Sequence, residues 1–260
     1  MSHSLDFTDR AVLVTGGSRG IGRGIAEAFL DAGAEVFVCG RREPYELPSA
    51  GHKRASFVVA DVRDADQVER MVEEVHDRLG RLDVLINNAG GAPYAEAATA
   101  SPRFSEKVIQ LNLVAALHCA QQANRIMQNQ ESGGSIINIA SVSGVRPSPG
   151  TAAYGAAKAG LINLTGTLAI EWAPKVRVNA ISAGLIRTEQ AHLHYGDDAG
   201  MAQVAETVPL RRLGSPEDIA SACLYLASPL ASYVSGANLL LHGGGETPAF
   251  LSAATANREE

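Results

Sequence analysis

Short runs of β-branched and other apolar residues alternate with longer stretches of helical period along this chain, and few folds accommodate that alternation. Ala11 to Val14, Glu35 to Val38, Ser56 to Val59, Val84 to Ile86, Ser135 to Ile139, Arg177 to Ala180 and Asn238 to Leu241 read as seven strands. Between them Ile21 to Ala32, Ala65 to Leu79, Glu106 to Met127, Ala153 to Trp172 and Pro216 to Leu226 repeat apolar residues at helical spacing. Strand, helix, strand in succession predicts an α/β fold, a doubly wound parallel sheet in a three-layer αβα sandwich. Wholly apolar strands such as Val84-Leu85-Ile86 agree, because a sheet with one wet face would alternate apolar and polar residues.

Two stretches break the rhythm. R-R-E-P-Y-E-L-P-S-A-G, after the second strand, carries Pro44 and Pro48 where another crossover helix would run, and reads as mostly loop. Thr188 to Gly214 follows the sixth strand on the side where such sheets bind ligands, and is expected to form a substrate lid. The 260 residues, 46% hydrophobic, suit one domain spanning 1–260, with a tail over 247–260.

A formal net charge of −6 leaves no basic surplus for a nucleic-acid backbone, so no nucleic-acid partner is expected. There is no apolar run of bilayer length, and the first ten residues lack the apolar stretch of a signal peptide; no membrane partner and a cytoplasmic location are expected. Cys39, Cys119 and Cys223 are widely separated, with no nearby histidine at metal-ligand spacing, and are expected to be small buried residues. His192-x-His194 lacks a third ligand, so no metal is expected.

The first strand runs into T-G-G-S-R-G-I-G, Thr15 to Gly22, and then a helix. Gly16, Gly20 and Gly22 would let backbone N–H groups at the helix N-terminus meet a pyrophosphate without interference from a Cβ, although the spacing is not G-x-G-x-x-G. The second strand ends in Cys39-Gly40-Arg41-Arg42, without the acid that would bond ribose hydroxyls. Arg41, joined by Arg19, would suit a 2′-phosphate, so NADP(H) is preferred with NAD(H) possible. Arg42 reads as a solvated bystander. Asp61 is placed to bond the adenine and Asn88-Ala89-Gly90 to approach the adenosine ribose; for each, stabilising a turn is an equal alternative.

Tyr154 and Lys158 stand four apart in a helical stretch, on one face. Ser141 closes the fifth strand at the edge where a doubly wound sheet puts its ligand crevice. A tyrosine of unperturbed pKa of about 10 needs a nearby cation to act as acid or base at neutral pH, and Lys158 would supply one. Tyr154 would then donate a proton to a carbonyl oxygen in reduction, or remove one from an alcohol in oxidation.

T-G-G-S-R-G-I-G, A-D-V, N-N-A-G, Asn112, Ser141, Y-G-A-A-K and V-N-A-I-S-A-G together, in this order over nearly the whole chain, resemble the short-chain dehydrogenase/reductase family. The resemblance implies a Rossmann-like domain that interconverts a ketone, or a 3-oxoacyl group, and a secondary alcohol. The small-molecule carbonyl or alcohol substrate would react at a tetrad of Asn112, Ser141, Tyr154 and Lys158. It places the cofactor on Gly16, Ser18, Arg19, Gly20, Ile21, Gly22, Arg41, Asp61, Val62, Asn88, Ala89, Gly90 and Tyr154, with Lys158 at the nicotinamide ribose and Gly184, Ile186 and Thr188 at the nicotinamide. It gives Asn112 a water that relays protons from Lys158, and implies a homotetramer or homodimer built on the tetrad helix and the final helix. Ala183 departs from the pattern, since the family usually has proline before Gly184. His192, His194 and Tyr195 could contact the substrate if the lid closes, and for each a solvated loop surface is a nearly equal alternative. A nicotinamide-binding sensor with little activity is the alternative reading, and the intact tetrad weighs against it.

Overall fold

A computed structural model describes residues 5–254. In chain order the elements are β1 (Ala11–Thr15), α1 (Gly20–Asp31), β2 (Glu35–Gly40), the short strands β3 (Ser49–Ala50) and β4 (Lys53–Arg54), and β5 (Ser56–Val59). Then come α2 (Ala65–Leu79), β6 (Val84–Asn87), α3 (Pro102–Ile109), a π turn (Gln110–Val114), α4 (Ala115–Met127), β7 (Gly134–Ser141) and α5 (Ala152–Glu171). The chain continues through β8 (Val176–Ala183), α6 (His192–Tyr195), α7 (Asp198–Thr207), α8 (Pro216–Ala227), β9 (Asn238–Leu241) and α9 (Ala249–Ala253).

Seven strands form one sheet in the order β5-β2-β1-β6-β7-β8-β9, with every neighbouring pair parallel. The winding reverses between β1 and β6, and in such a sheet the carboxyl ends of the strands flanking the reversal open a crevice. Both faces are dry. Val12, Val14, Ile86, Ile137 and Ile181 pack with Ile25 and Phe29 of α1 and Ile219 and Cys223 of α8. Their strand neighbours Leu13, Leu85, Ile136 and Val178 point the other way, onto Met71 and Val75 of α2, Cys119 and Met127 of α4, and Leu168 of α5. This two-sided burial is why the strands read as unbroken apolar runs. All three cysteines are buried and unpaired.

One carboxylate ties the amino ends of β1 and β6 together. Asp83, at 7% side-chain exposure, accepts hydrogen bonds from Arg10 Nη1 at 2.8 Å, the Ala11 N–H at 2.9 Å, and Arg81 Nε and Nη2 at 2.6 Å each.

The structure departs from the sequence reading in three places. The predicted helix Glu106 to Met127 begins earlier, at Pro102 behind a Ser101 cap, and is interrupted by the π turn. Asn112 causes the interruption: its Nδ2 bonds the Val108 carbonyl at 2.9 Å, and the ladder lengthens so that the Ala115 N–H reaches back to Gln110. The Pro44 and Pro48 segment holds no helix, as expected, but ends in the β3–β4 hairpin, pairing Ser49 with Arg54 and Ala50 with Lys53. Strands β7 and β8 run on to Ser141 and Ala183, so both of these residues sit in the ladder, paired with each other.

Candidate active site

The crevice between β1 and β6 is built from two turns stitched to each other. Gly16 follows β1 at φ +63, a left-handed conformation that favours glycine, and swings the chain toward α1. A Cβ on Gly22 would lie 2.4 Å from Asn88 Nδ2 and 2.5 Å from the Gly16 carbonyl oxygen, so only glycine lets α1 approach this closely. Asn88 Nδ2 donates to the carbonyls of Thr15 at 2.9 Å and Gly16 at 3.2 Å. The Thr15 hydroxyl accepts the N–H groups of Asn88 and Ala89, both at 3.0 Å. Asn88 therefore does stabilise a turn, and in doing so leaves a glycine-lined cradle at the α1 N-terminus. That shape fits the diphosphate of a dinucleotide, which needs backbone donors and no Cβ.

Ser18 and Ile21 are half-buried at the cradle, and the side chains of Arg19 and Arg41 are exposed at its rim. Asp61 and buried Val62 follow β5. Asp61 is clamped by Arg63, through Nε at 2.9 Å and Nη2 at 2.5 Å. That bond, with Arg41 adding its charge, holds the Asp61 carboxyl below the usual range. The sequence reading missed Arg63; its only signal was a guanidinium two residues beyond an aspartate in a turn.

Four side chains converge beyond the cradle. Ser141 ends β7; its hydroxyl accepts the Ser143 N–H at 3.2 Å and is hydrogen-bonded to the Tyr154 hydroxyl. One turn along α5, buried Lys158 donates from Nζ to the Ile139 carbonyl at 2.8 Å and lies 5.7 Å from the Tyr154 ring centre. Asn112 faces them from the π turn, its Oδ1 accepting the Gly91 N–H at 2.8 Å and its Nδ2 donating to the Gly91 carbonyl at 3.0 Å. Gly90 separates them: a Cβ there would be 2.7 Å from Asn112 Oδ1 and 3.3 Å from Lys158 Nζ. Burial dominates the electrostatics. It pulls Lys158 down to about 8 and pushes the Tyr154 phenol up, the latter opposed in part by the Ser141 hydrogen bond. The expected lowering of the Tyr154 pKa by Lys158 is not what this structure shows: burial raises the phenol, and Ser141 is the group that opposes it.

Gly184 follows β8 beside His242, where a Cβ would be 2.7 Å from His242 Cβ. Ile186 is buried and bridges to Gly214, and Thr188 lies next to Gly20. From the segment between them, the Tyr195 ring is half-buried, with its hydroxyl hydrogen-bonded to the Ile186 backbone; burial first, and then the Tyr154 phenol, pushes its own phenol up. His192 and His194 are exposed, His192 Nδ1 lying 3.1 Å from the Glu189 carbonyl oxygen. Arg146 and Glu246 form an ion pair beside Tyr195.

A family model described as enoyl-(acyl carrier protein) reductase matches residues 16–246. The 3-oxoacyl-(acyl-carrier-protein) reductase FabG of Staphylococcus aureus is 38% identical over 242 residues, 90% of this chain and 97% of the other. The chain belongs to the short-chain dehydrogenase/reductase family. An NAD-dependent glycerol dehydrogenase of Listeria innocua is 33% identical, covering 92% of this chain and 94% of its own. The ligand-free aldohexose dehydrogenase of Thermoplasma acidophilum superposes with a TM-score of 0.85 at 30% identity, over 99% of both chains. As a short-chain dehydrogenase/reductase the chain is an oxidoreductase of a family that uses nicotinamide dinucleotides and acts on small molecules. Among the described residues no helix is long and apolar enough to cross a membrane.

Proposed function

We propose that this short-chain dehydrogenase/reductase reduces a ketone or 3-oxoacyl group to a secondary alcohol with NADPH, using Tyr154 as the proton donor. The observation that carries this reading is the Tyr154 hydroxyl bonded to Ser141 above a buried Lys158, next to the glycine cradle. The Gly16–Gly22 turn, with Ser18 and Ile21, would hold the diphosphate, and Arg19 and Arg41 the 2′-phosphate. Asp61 and Val62 would meet the adenine, Asn88, Ala89 and Gly90 the ribose, and Gly184, Ile186 and Thr188 the carboxamide. The bound nicotinamide supplies the hydride.

The protein's own groups handle the oxygen. The Ser141 hydroxyl bonds the substrate carbonyl oxygen and holds it against Tyr154. A reductase needs Tyr154 to start protonated, and burial of the phenol provides that. As the oxygen gains charge the proton leaves Tyr154, and Lys158, still mostly charged at neutral pH with its pKa at about 8, stabilises the phenolate left behind. Asn112, bonded to the 90–91 turn beside Lys158, is placed to hold a water that returns the proton. The S. aureus relative's name supports a 3-oxoacyl thioester as the first substrate to try. Residues 188–214 act as the lid, with Tyr195 as its substrate-facing side chain.

Arg41 tests the choice of cofactor. Losing one charge-assisted bond to a phosphate costs about 1.5–3 kcal/mol, so Arg41→Ala is expected to weaken NADPH binding roughly ten- to hundredfold while NADH binding stays within about twofold. Equal loss for both cofactors, measured by calorimetric titration, would remove Arg41 from the 2′-phosphate site.

The outer surface supports assembly of the chain into a dimer or tetramer. Helix α5 shows small Ala156 and Ala159 on its outer face and leaves Ile170 82% exposed, while edge strand β9 shows Leu239 and Leu240 to solvent. Light scattering is expected to give two or four times the 27.2 kDa chain mass, and a monomer would count against these faces as interfaces.

A further inference from the structure

Two residues of the 188–214 segment already occupy backbone groups that the proposed reading assigns to the cofactor. Gly20 opens α1, and its N–H is one of the donors that a helix N-terminus leaves without an intrahelical partner. Helices α2, α3, α7 and α8 satisfy such donors with the side chain just before the helix, from Asp64, Ser101, Asp197 and Ser215. Arg19 makes no such bond for α1. Instead the Gly20 N–H donates at 2.9 Å to Glu189 Oε1, from a residue 169 positions away. A carboxylate oxygen on that amide has the charge and hydrogen-bonding character of a phosphate oxygen. At the other end of the same short stretch, the Tyr195 hydroxyl is bonded to the Ile186 backbone, where the carboxamide is proposed to sit.

We propose that Glu189 is an internal stand-in for the cofactor phosphate, latching the lid onto the glycine cradle until the dinucleotide displaces it. This rests on the nicotinamide reading of the cradle. Two anions do not share the Gly20 donor, so the diphosphate and the Glu189 carboxylate exclude each other. Latched molecules do not bind cofactor, so apparent affinity falls in proportion to the latched fraction.

Glu189 is exposed in a loop, so its substitution leaves the core untouched. The test is calorimetric titration of NADPH into wild type, Glu189→Ala and Glu189→Gln, with hydrogen exchange at the Gly20 amide followed by NMR in the same proteins. Glu189→Ala is expected to bind NADPH about tenfold more tightly, the figure for a latch closed about nine-tenths of the time, with Glu189→Gln in between. Gly20 is expected to exchange faster in Glu189→Ala than in wild type, and inorganic pyrophosphate alone to slow it again at lower concentration than wild type requires. Equal or weaker NADPH affinity in Glu189→Ala, or unchanged Gly20 exchange, overturns the latch and leaves the cofactor reading intact. Failure of wild type and both variants to bind either NADPH or NADH overturns the cofactor reading, and the latch falls with it.

Discussion

Tyr154→Phe is expected to lower kcat for NADPH-dependent ketone reduction by about 10²–10⁴-fold, the usual span for loss of a general acid. The change deletes one oxygen and keeps the ring that packs near Lys158 Nζ, 5.7 Å from its centre, so the fold and the cofactor cradle stay in place. NADPH affinity should therefore change by no more than about threefold, well under the roughly tenfold cost of a charge-assisted bond, which separates a chemical defect from a binding one. In the wild type, kcat/KM for reduction should fall as pH rises past about 8, where buried Lys158 loses the charge that supports the departing proton. A Tyr154→Phe enzyme that keeps its kcat would take the proton-donor role away from Tyr154 and shift it to Ser141 or to Tyr195.

The second large effect concerns stability. Asp83→Ala should destabilise the protein by about 3 kcal/mol, the low end for breaking a buried ion pair. The cost stays at that low end because Arg10 and Arg81 are 43% and 35% exposed and can turn to water when the carboxylate is gone. Burial works against ionisation of Asp83, but the bonds from Arg81, the Ala11 N–H and Arg10 together outweigh it and leave its pKa below the ordinary value. A carboxyl whose folded pKa is depressed contributes stability that is fully present above the unfolded pKa of about 3.9 and is lost as pH falls through the folded value. The gap between wild type and Asp83→Asn in urea-unfolding midpoint should accordingly be constant from about pH 5 to 8 and narrow in more acidic solution. A gap that is absent near neutrality would make the cluster ornamental.

What could be read from the sequence was what depends on local period and on short motifs. The strand cores of β1, β2, β6 and β7 were legible because residues on both their faces are buried, and the cradle because Gly16 and Gly22 have steric reasons to be glycine. That Ser141, Tyr154 and Lys158 come together was legible from where a doubly wound sheet sends its strand ends, whereas Asn112 came only with the family resemblance. The π turn was not legible, because the Asn112 side chain that opens the ladder through Val108 is held in place by Gly91, a loop residue 21 positions away. Arg63 and Glu189 escaped for the same reason. A charged residue in an irregular segment carries no periodic signal, and its partner is chosen by the path of the loop in space. The β3–β4 hairpin, with two residues in each strand, is too short to leave an alternation.

The burial of the three cysteines has a practical side. Desolvation raises the Cys39 thiol to about 11, and raises Cys119 and Cys223 as well, so at neutral pH none of them offers the thiolate that alkylating reagents attack. The native molecule is a silent background for thiol labelling. A cysteine introduced in the exposed part of the 188–214 segment would carry a dye or spin label alone, and the native sulfurs would become reactive only in molecules that had opened their core.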